Sequence, residues 1–146
     1  MVAFLGREAP EEFDAADWPL HVTVVPPFEI ELDASAVAAL IPAAARIPVV
    51  GAGRERFGSR RTVPVTVLRP SPALTGLHTA IVQALEGAGA VMKDQRHILG
   101  AFRAHATDQH GGRLHPGERA VLTELSVVAR APHSRRRVAA RVTLAP

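Results

Sequence analysis

Apolar and polar positions along the chain alternate with a period of two in several short stretches and follow a helical period in two longer ones. "MVAFL" reads as an opening strand, and Gly6 to Pro19 as a polar, acidic loop. Leu20 to Val25 predicts a strand that Pro26-Pro27 ends, since proline cannot donate to a β-ladder. Phe28 to Leu32 alternates apolar with acidic residues and predicts a further short strand. From Asp33 the pattern "DASAVAALIPAAARI" turns helical, with Asp33 or Ser35 as cap and Pro42 as the break. Ile47 to Ala52 and Thr62 to Leu68 then predict a strand pair around an arginine-rich turn at Phe57-Gly58. The clearest helix has Ser71 as N-cap, Pro72 at its first position, a stripe of Leu74, Leu77, Ile81 and Leu85, and Gly87 as stop. Ala88 to Gly100 is irregular, Phe102 to Thr107 predicts a strand, and "DQHGGRLHPGE" a loop. Two alternating strands close the pattern: Val121, Leu125 and Val127 share one face of the first, and Val138, Val142 and Leu144 one face of the second. Strands interleaved with two helices indicate an α+β or α/β class, and without any linker the 146 residues are expected to form a single domain, 1–146.

Two of the predicted strands carry polar residues in a repeated form. "LHVTVVPPF" holds His21 and Thr23, and "FRAHATDQ" holds His105 and Thr107. Side chains two apart on a strand share a face, so each histidine projects with its threonine while Leu20, Val22 and Val24, or Phe102, Ala104 and Ala106, take the other face. Arg103 is in phase with His105. Both units thus have an apolar face to bury and a polar face to present to a cleft or to solvent. If the polar faces confront each other, two imidazoles can divide general-acid and general-base work, and two hydroxyls can hydrogen-bond the non-bridging oxygens of a phosphate. That set of groups suits phosphodiester chemistry without a metal.

Composition narrows the picture. Apolar residues make up 47%, enough for one core, and the absence of cysteine excludes disulfides and thiolate metal sites. No apolar run approaches membrane-spanning length, and the acidic start does not read as a secretory signal, so a cytoplasmic protein is expected. The net charge of +3 is mild, with arginines gathered at "RERFGSRR" and "SRRR". Such a basic edge is compatible with an anionic ligand.

The paired His-x-Thr units resemble those of the 2H phosphoesterase superfamily, which includes 2′-5′ RNA ligase-like proteins and RNA 2′,3′-cyclic phosphodiesterases. "HVTVVPPF" is similar to the family's first motif, and "FRAHATDQ" stands at the second. Ala104 replaces a usual proline there, and Asp108-Gln109 a common hydrophobic pair; a basic residue that often follows the second motif would have to come from Arg103, Arg137 or Arg141. The resemblance implies an α+β, bilobal, pseudo-twofold fold of two antiparallel sheets lining a central cleft, with outer helices. It implies His21 and His105 as the acid–base pair and Thr23 and Thr107 as phosphate ligands. The expected substrate is an RNA end or a small cyclic nucleotide, with no cofactor, no metal, no DNA and no membrane partner, in a monomer.

Other residues carry competing readings. Phe28 and Arg103 are candidate substrate-binding residues, although Phe28 is equally a core aromatic after the Pro-Pro turn. Trp18 flanks the cleft or packs. His105, His110 and His115, spaced by five, invite a metal reading that strand geometry already disfavours for His105. His78 reads as surface, beside the helix stripe, and His97 and His133 as solvated. Against the enzyme stands an alternative of a different class: an RNA- or nucleotide-binding module that keeps the cleft but turns over poorly.

Overall fold

The computed structural model describes residues 1–6 and 9–146; Arg7 and Glu8, inside the stretch read as a loop, lie outside the described residues. Strands β1 (Val2–Phe4), β2 (Glu12–Asp14), β3 (His21–Thr23) and β4 (Phe28–Glu29) precede helix α1 (Ala34–Ala39). Next come β5 (Ile47–Phe57), β6 (Val63–Leu68), helix α2 (Pro72–Gly87) and β7 (Val91–Met92). Two short 3₁₀ turns lead into β8 (His105–Thr107), followed by β9 (Arg119–Leu122), β10 (Glu124–Ala131) and β11 (Arg135–Thr143). Both α-helices start where their caps predict. The Asp33 carboxylate accepts from the Ala36 N–H at 2.8 Å, and the Ser71 hydroxyl accepts from the Leu74 N–H at 3.3 Å. Among the described residues no helix is long and apolar enough to cross a membrane.

Nine strands form one sheet in the order β2-β11-β10-β1-β3-β8-β6-β5-β9, and β4 pairs with β7 in a small second sheet. Every ladder is antiparallel, as expected of an α+β class. The two halves of the large sheet meet at β3 and β8, through the register pair Val22↔Ala106. The outer ends meet as well. β9, on the far edge of the second half, runs through the single residue Thr123 into β10, which lies beside β1 in the first half. The Leu144 N–H donates to the Thr123 carbonyl at 2.8 Å, and the Arg46 N–H donates to that of Ala145, also at 2.8 Å. The sheet is therefore drawn back on itself.

Three local expectations change. The turn expected at Phe57-Gly58 is present at residues 58–61, but β5 runs on past Ala52 to meet it at Phe57, because Arg54, Glu55 and Arg56 pair with Thr66, Val65 and Pro64. β2 lies inside the predicted loop, where it pairs with β11. Residues 119–131 are two strands rather than one, so Val121 is 52% exposed on an edge whereas Leu125 is buried completely.

The apolar side chains of both halves make one cluster, in which Val22 and Ala106 meet Leu74, Ile81 and Leu85 of α2 and Leu122, Leu125 and Leu144 from the last strands. Close packing has a sharp consequence at Gly51. Its N–H donates to the Glu118 carbonyl at 2.9 Å and its carbonyl accepts from the Gly117 N–H at 2.8 Å, which brings the 115–118 loop against the strand. A β-carbon there would sit on the His115 carbonyl oxygen. Gly51→Ala should cost about 1–3 kcal/mol, read as a lower denaturant midpoint; an unchanged midpoint would contradict this packing.

Candidate active site

The register at the join fixes which side chains face each other. With Val22 opposite Ala106, both buried completely, their neighbours project from the other surface of the sheet. His21 then stands opposite Thr107, and Thr23 opposite His105. The rows extend outward: Phe4 is in register with His21 and Val65 with Thr107, while Val2 pairs with Thr23 and Val67 with His105. The two His-x-Thr units are thus brought together about a local twofold at Val22/Ala106, with the imidazoles on a diagonal. Diagonal neighbours of this kind lie about 7–8 Å apart, their β-carbons somewhat closer. All four side chains are partly open to solvent.

The two imidazoles are held alike. His21 Nδ1 lies 2.7 Å from the Pro19 carbonyl oxygen, and His105 Nδ1 lies 2.8 Å from that of Arg103, in each case two residues back. A carbonyl can only accept, so Nδ1 carries the proton and Nε2 is left with its lone pair when the ring is neutral. Aromatic rings flank both. Trp18 lies tilted on His21 at 4.9 Å between centroids and makes an edge contact with Phe13, so it both flanks the site and packs. Phe57 lies on His105 at 4.6 Å. Burial lowers the pKa of both histidines from the ordinary value, and their backbone hydrogen bonds offset this only partly; the charge of His105 lowers that of His21 further.

Arg103 is exposed beside the second unit. Its guanidinium lies over the Phe57 ring at 5.4 Å and forms a two-pronged pair with Glu55, at 2.6 and 3.2 Å, which holds the Glu55 carboxyl below its usual range. Two concavities of about 450 and 460 Å³ open on either side of that pair. Val67, in register with His105, lines the first, and Phe57 the second. Phe28, by contrast, packs partly buried against the core while β4 pairs with β7, which is the packing alternative. Phe57 and Glu55 were not singled out as site neighbours, because the strand read from the sequence stops at Ala52 and only pairing with β6 carries it on to Phe57.

Asp108, the departure from the hydrophobic pattern after the second unit, lies past Thr107 and so on the other face. There Arg54, in register with Thr66, grips it at 2.6 and 2.7 Å. The Arg54 side chain also donates to the Thr66 hydroxyl, at 2.9 Å. The departure is accommodated away from the histidines. Arg141 sits in the same row as Thr23, three strands out, bound to Glu124 at 3.0 Å and to the Ala9 carbonyl at 3.0 Å; Arg137 stands opposite Glu12. Among the described residues no group of three or more His, Cys, Asp or Glu is placed to hold a metal, which leaves the His105, His110, His115 spacing without a site. His78 corrects the surface reading: it is buried completely, because both ring nitrogens find backbone partners inside.

Residues 7–144 match the family model described as the 2′-5′ RNA ligase superfamily. A solved phosphoesterase shares the fold with a TM-score of 0.60 at 18% identity, covering 90% of this chain and 83% of its own. E. coli LigT, solved in complex with 3′-AMP, does so with a TM-score of 0.58 at 17% identity, covering 89% and 82%. No curated protein matches the chain. At these identities the structural likeness is one of fold; it is the match across nearly all of the sequence that makes the chain a member of the 2′-5′ RNA ligase superfamily.

Proposed function

We propose that the protein is a metal-independent phosphodiesterase acting on 2′,3′-cyclic or 2′-5′ phosphodiesters of RNA or nucleotides. The observation that carries this reading is the Val22↔Ala106 register, which sets two imidazoles and two hydroxyls on one open surface. With Nδ1 tied to backbone on both rings, each Nε2 is the nitrogen available to a substrate. One histidine, neutral, takes a proton from water as its oxygen bonds to phosphorus. The other, protonated, gives its proton to the ribose oxygen as the P–O bond breaks, leaving a phosphomonoester. Thr23 and Thr107, on the other diagonal of the same four positions, donate to the non-bridging oxygens. Arg103 supplies positive charge beside His105. The 3′-AMP held by the similarly folded LigT supports a nucleotide or an RNA end as the ligand.

The test is hydrolysis of the four 2′,3′-cyclic nucleoside monophosphates. Turnover is expected, and EDTA should leave the rate unchanged because two imidazoles and two hydroxyls supply the base, the acid and the phosphate ligands. Loss of activity in EDTA would replace the reading with a metal-assisted one. Nucleotide affinity without product would favour a binding module instead.

A further inference from the structure

The direct join between the two motif strands is thin: β3 and β8 are three residues each, and Val22↔Ala106 is their one register pair. A second connection runs through His78 of α2. Its Nδ1 lies 2.6 Å from the Val24 carbonyl oxygen, and its Nε2 accepts from the Leu99 N–H at 2.8 Å. A backbone N–H can only donate, so Nε2 carries the lone pair and Nδ1 the proton. The ring also stacks on Phe102, 3.9 Å between centroids and within 4° of parallel.

Two of the three partners adjoin the site. Val24 follows Thr23. Phe102 precedes Arg103, whose carbonyl orients His105. Leu99 has a φ of 51°, a left-handed conformation that a leucine adopts only when its surroundings hold it, and its N–H is committed to His78. One buried ring therefore ties the exit of the first motif strand to the approach of the second.

We propose that His78 is a positioning residue that braces β3 against β8 and so sets the separation of the His21 and His105 imidazoles. The proposal rests on the reading of those two as the acid–base pair. A brace of this kind acts on rate rather than on binding, since displacing a catalytic group by about 1 Å costs about a hundredfold.

Two variants separate bracing from mere filling of space. His78→Phe keeps an aromatic ring stacked on Phe102 but loses both hydrogen bonds. His78→Gln offers an N–H and a carbonyl at nearly the spacing of the two ring nitrogens and can restore both. For 2′,3′-cyclic nucleotide hydrolysis, His78→Phe should lower kcat by about 10–100-fold with little change in KM, and His78→Gln should recover most of it. Heteronuclear NMR supplies a readout independent of turnover. In His78→Phe the side-chain nitrogen signals of His21 and His105 should move and the Leu99 amide should exchange faster; in His78→Gln both should return. Equal falls in kcat for the two variants, or imidazole signals unmoved in His78→Phe, would overturn the brace. If the wild type hydrolyses neither a 2′,3′-cyclic nucleotide nor a 2′-5′ dinucleotide, the acid–base reading fails and the NMR comparison still decides whether His78 holds the strands. If His78→Phe does not fold, the wild type decides: slow exchange at Leu99 and a neutral His78 protonated on Nδ1 support the brace, whereas fast exchange or a proton on Nε2 overturns it.

Discussion

Replacing either His21 or His105 by alanine should lower kcat/KM for a 2′,3′-cyclic nucleotide by about 10²–10⁴, with the fold retained. Both rings are only half-buried, and each side chain's hydrogen bond is to a carbonyl two residues away, so neither ring ties down a distant element through a hydrogen bond. The double variant should be little worse than the single ones, because the two groups act in one proton-transfer step. Asparagine is the more telling substitution. It keeps a donor for the Pro19 or Arg103 carbonyl but has nothing at the position of Nε2, so His21→Asn and His105→Asn should be as impaired as the alanine variants. Rates within about tenfold of wild type would remove the pair from the mechanism.

The pH dependence should be bell-shaped, with its maximum on the acidic side of the ordinary histidine value. Burial lowers both pKa values. The productive form has one imidazole neutral and the other protonated, and its population peaks midway between the two apparent values whichever ring takes which role. Both lie below 6.5, so the midpoint does as well. Above it the acid is lost, and kcat/KM should fall about tenfold per pH unit; below it the base is lost. A maximum near pH 8 would mean that the titrating groups are not these two histidines.

The strand parity of the two His-x-Thr units was legible in the sequence, since a period of two with an apolar opposite face leaves no other arrangement for Val22 and Ala106. The caps Asp33 and Ser71 were legible for the same reason, that each is a local interaction. What was not legible depends on partners distant along the chain. β2 is three residues long and exists only because β11 pairs with it. The break at Thr123 divides one alternating pattern between two sets of neighbours, β5 for β9 and β1 with β11 for β10, and alternation alone does not reveal a partner. His78 looked like the polar margin of a helix stripe, yet Val24, 54 positions away, accepts its proton. Asp108 looked like a disturbance of the second unit until Arg54, also 54 positions away, claimed it.

The passage of β9 into β10 has a bearing on how the chain is made. The first half of the sheet consists of β1, β2 and β3 together with β10 and β11, so its early strands have no neighbours to complete it until the last ones exist. About a hundred residues separate Thr23 from Glu124. At a synthesis rate of about 5–20 residues per second, the early strands wait roughly 5–20 s with their edges unpaired. The repeated motif suggests two modules, but only the second, β5, β6, β8 and β9, is complete within one stretch of chain; the first is split around it, so it closes after the second has been made, and the site at their junction forms only then.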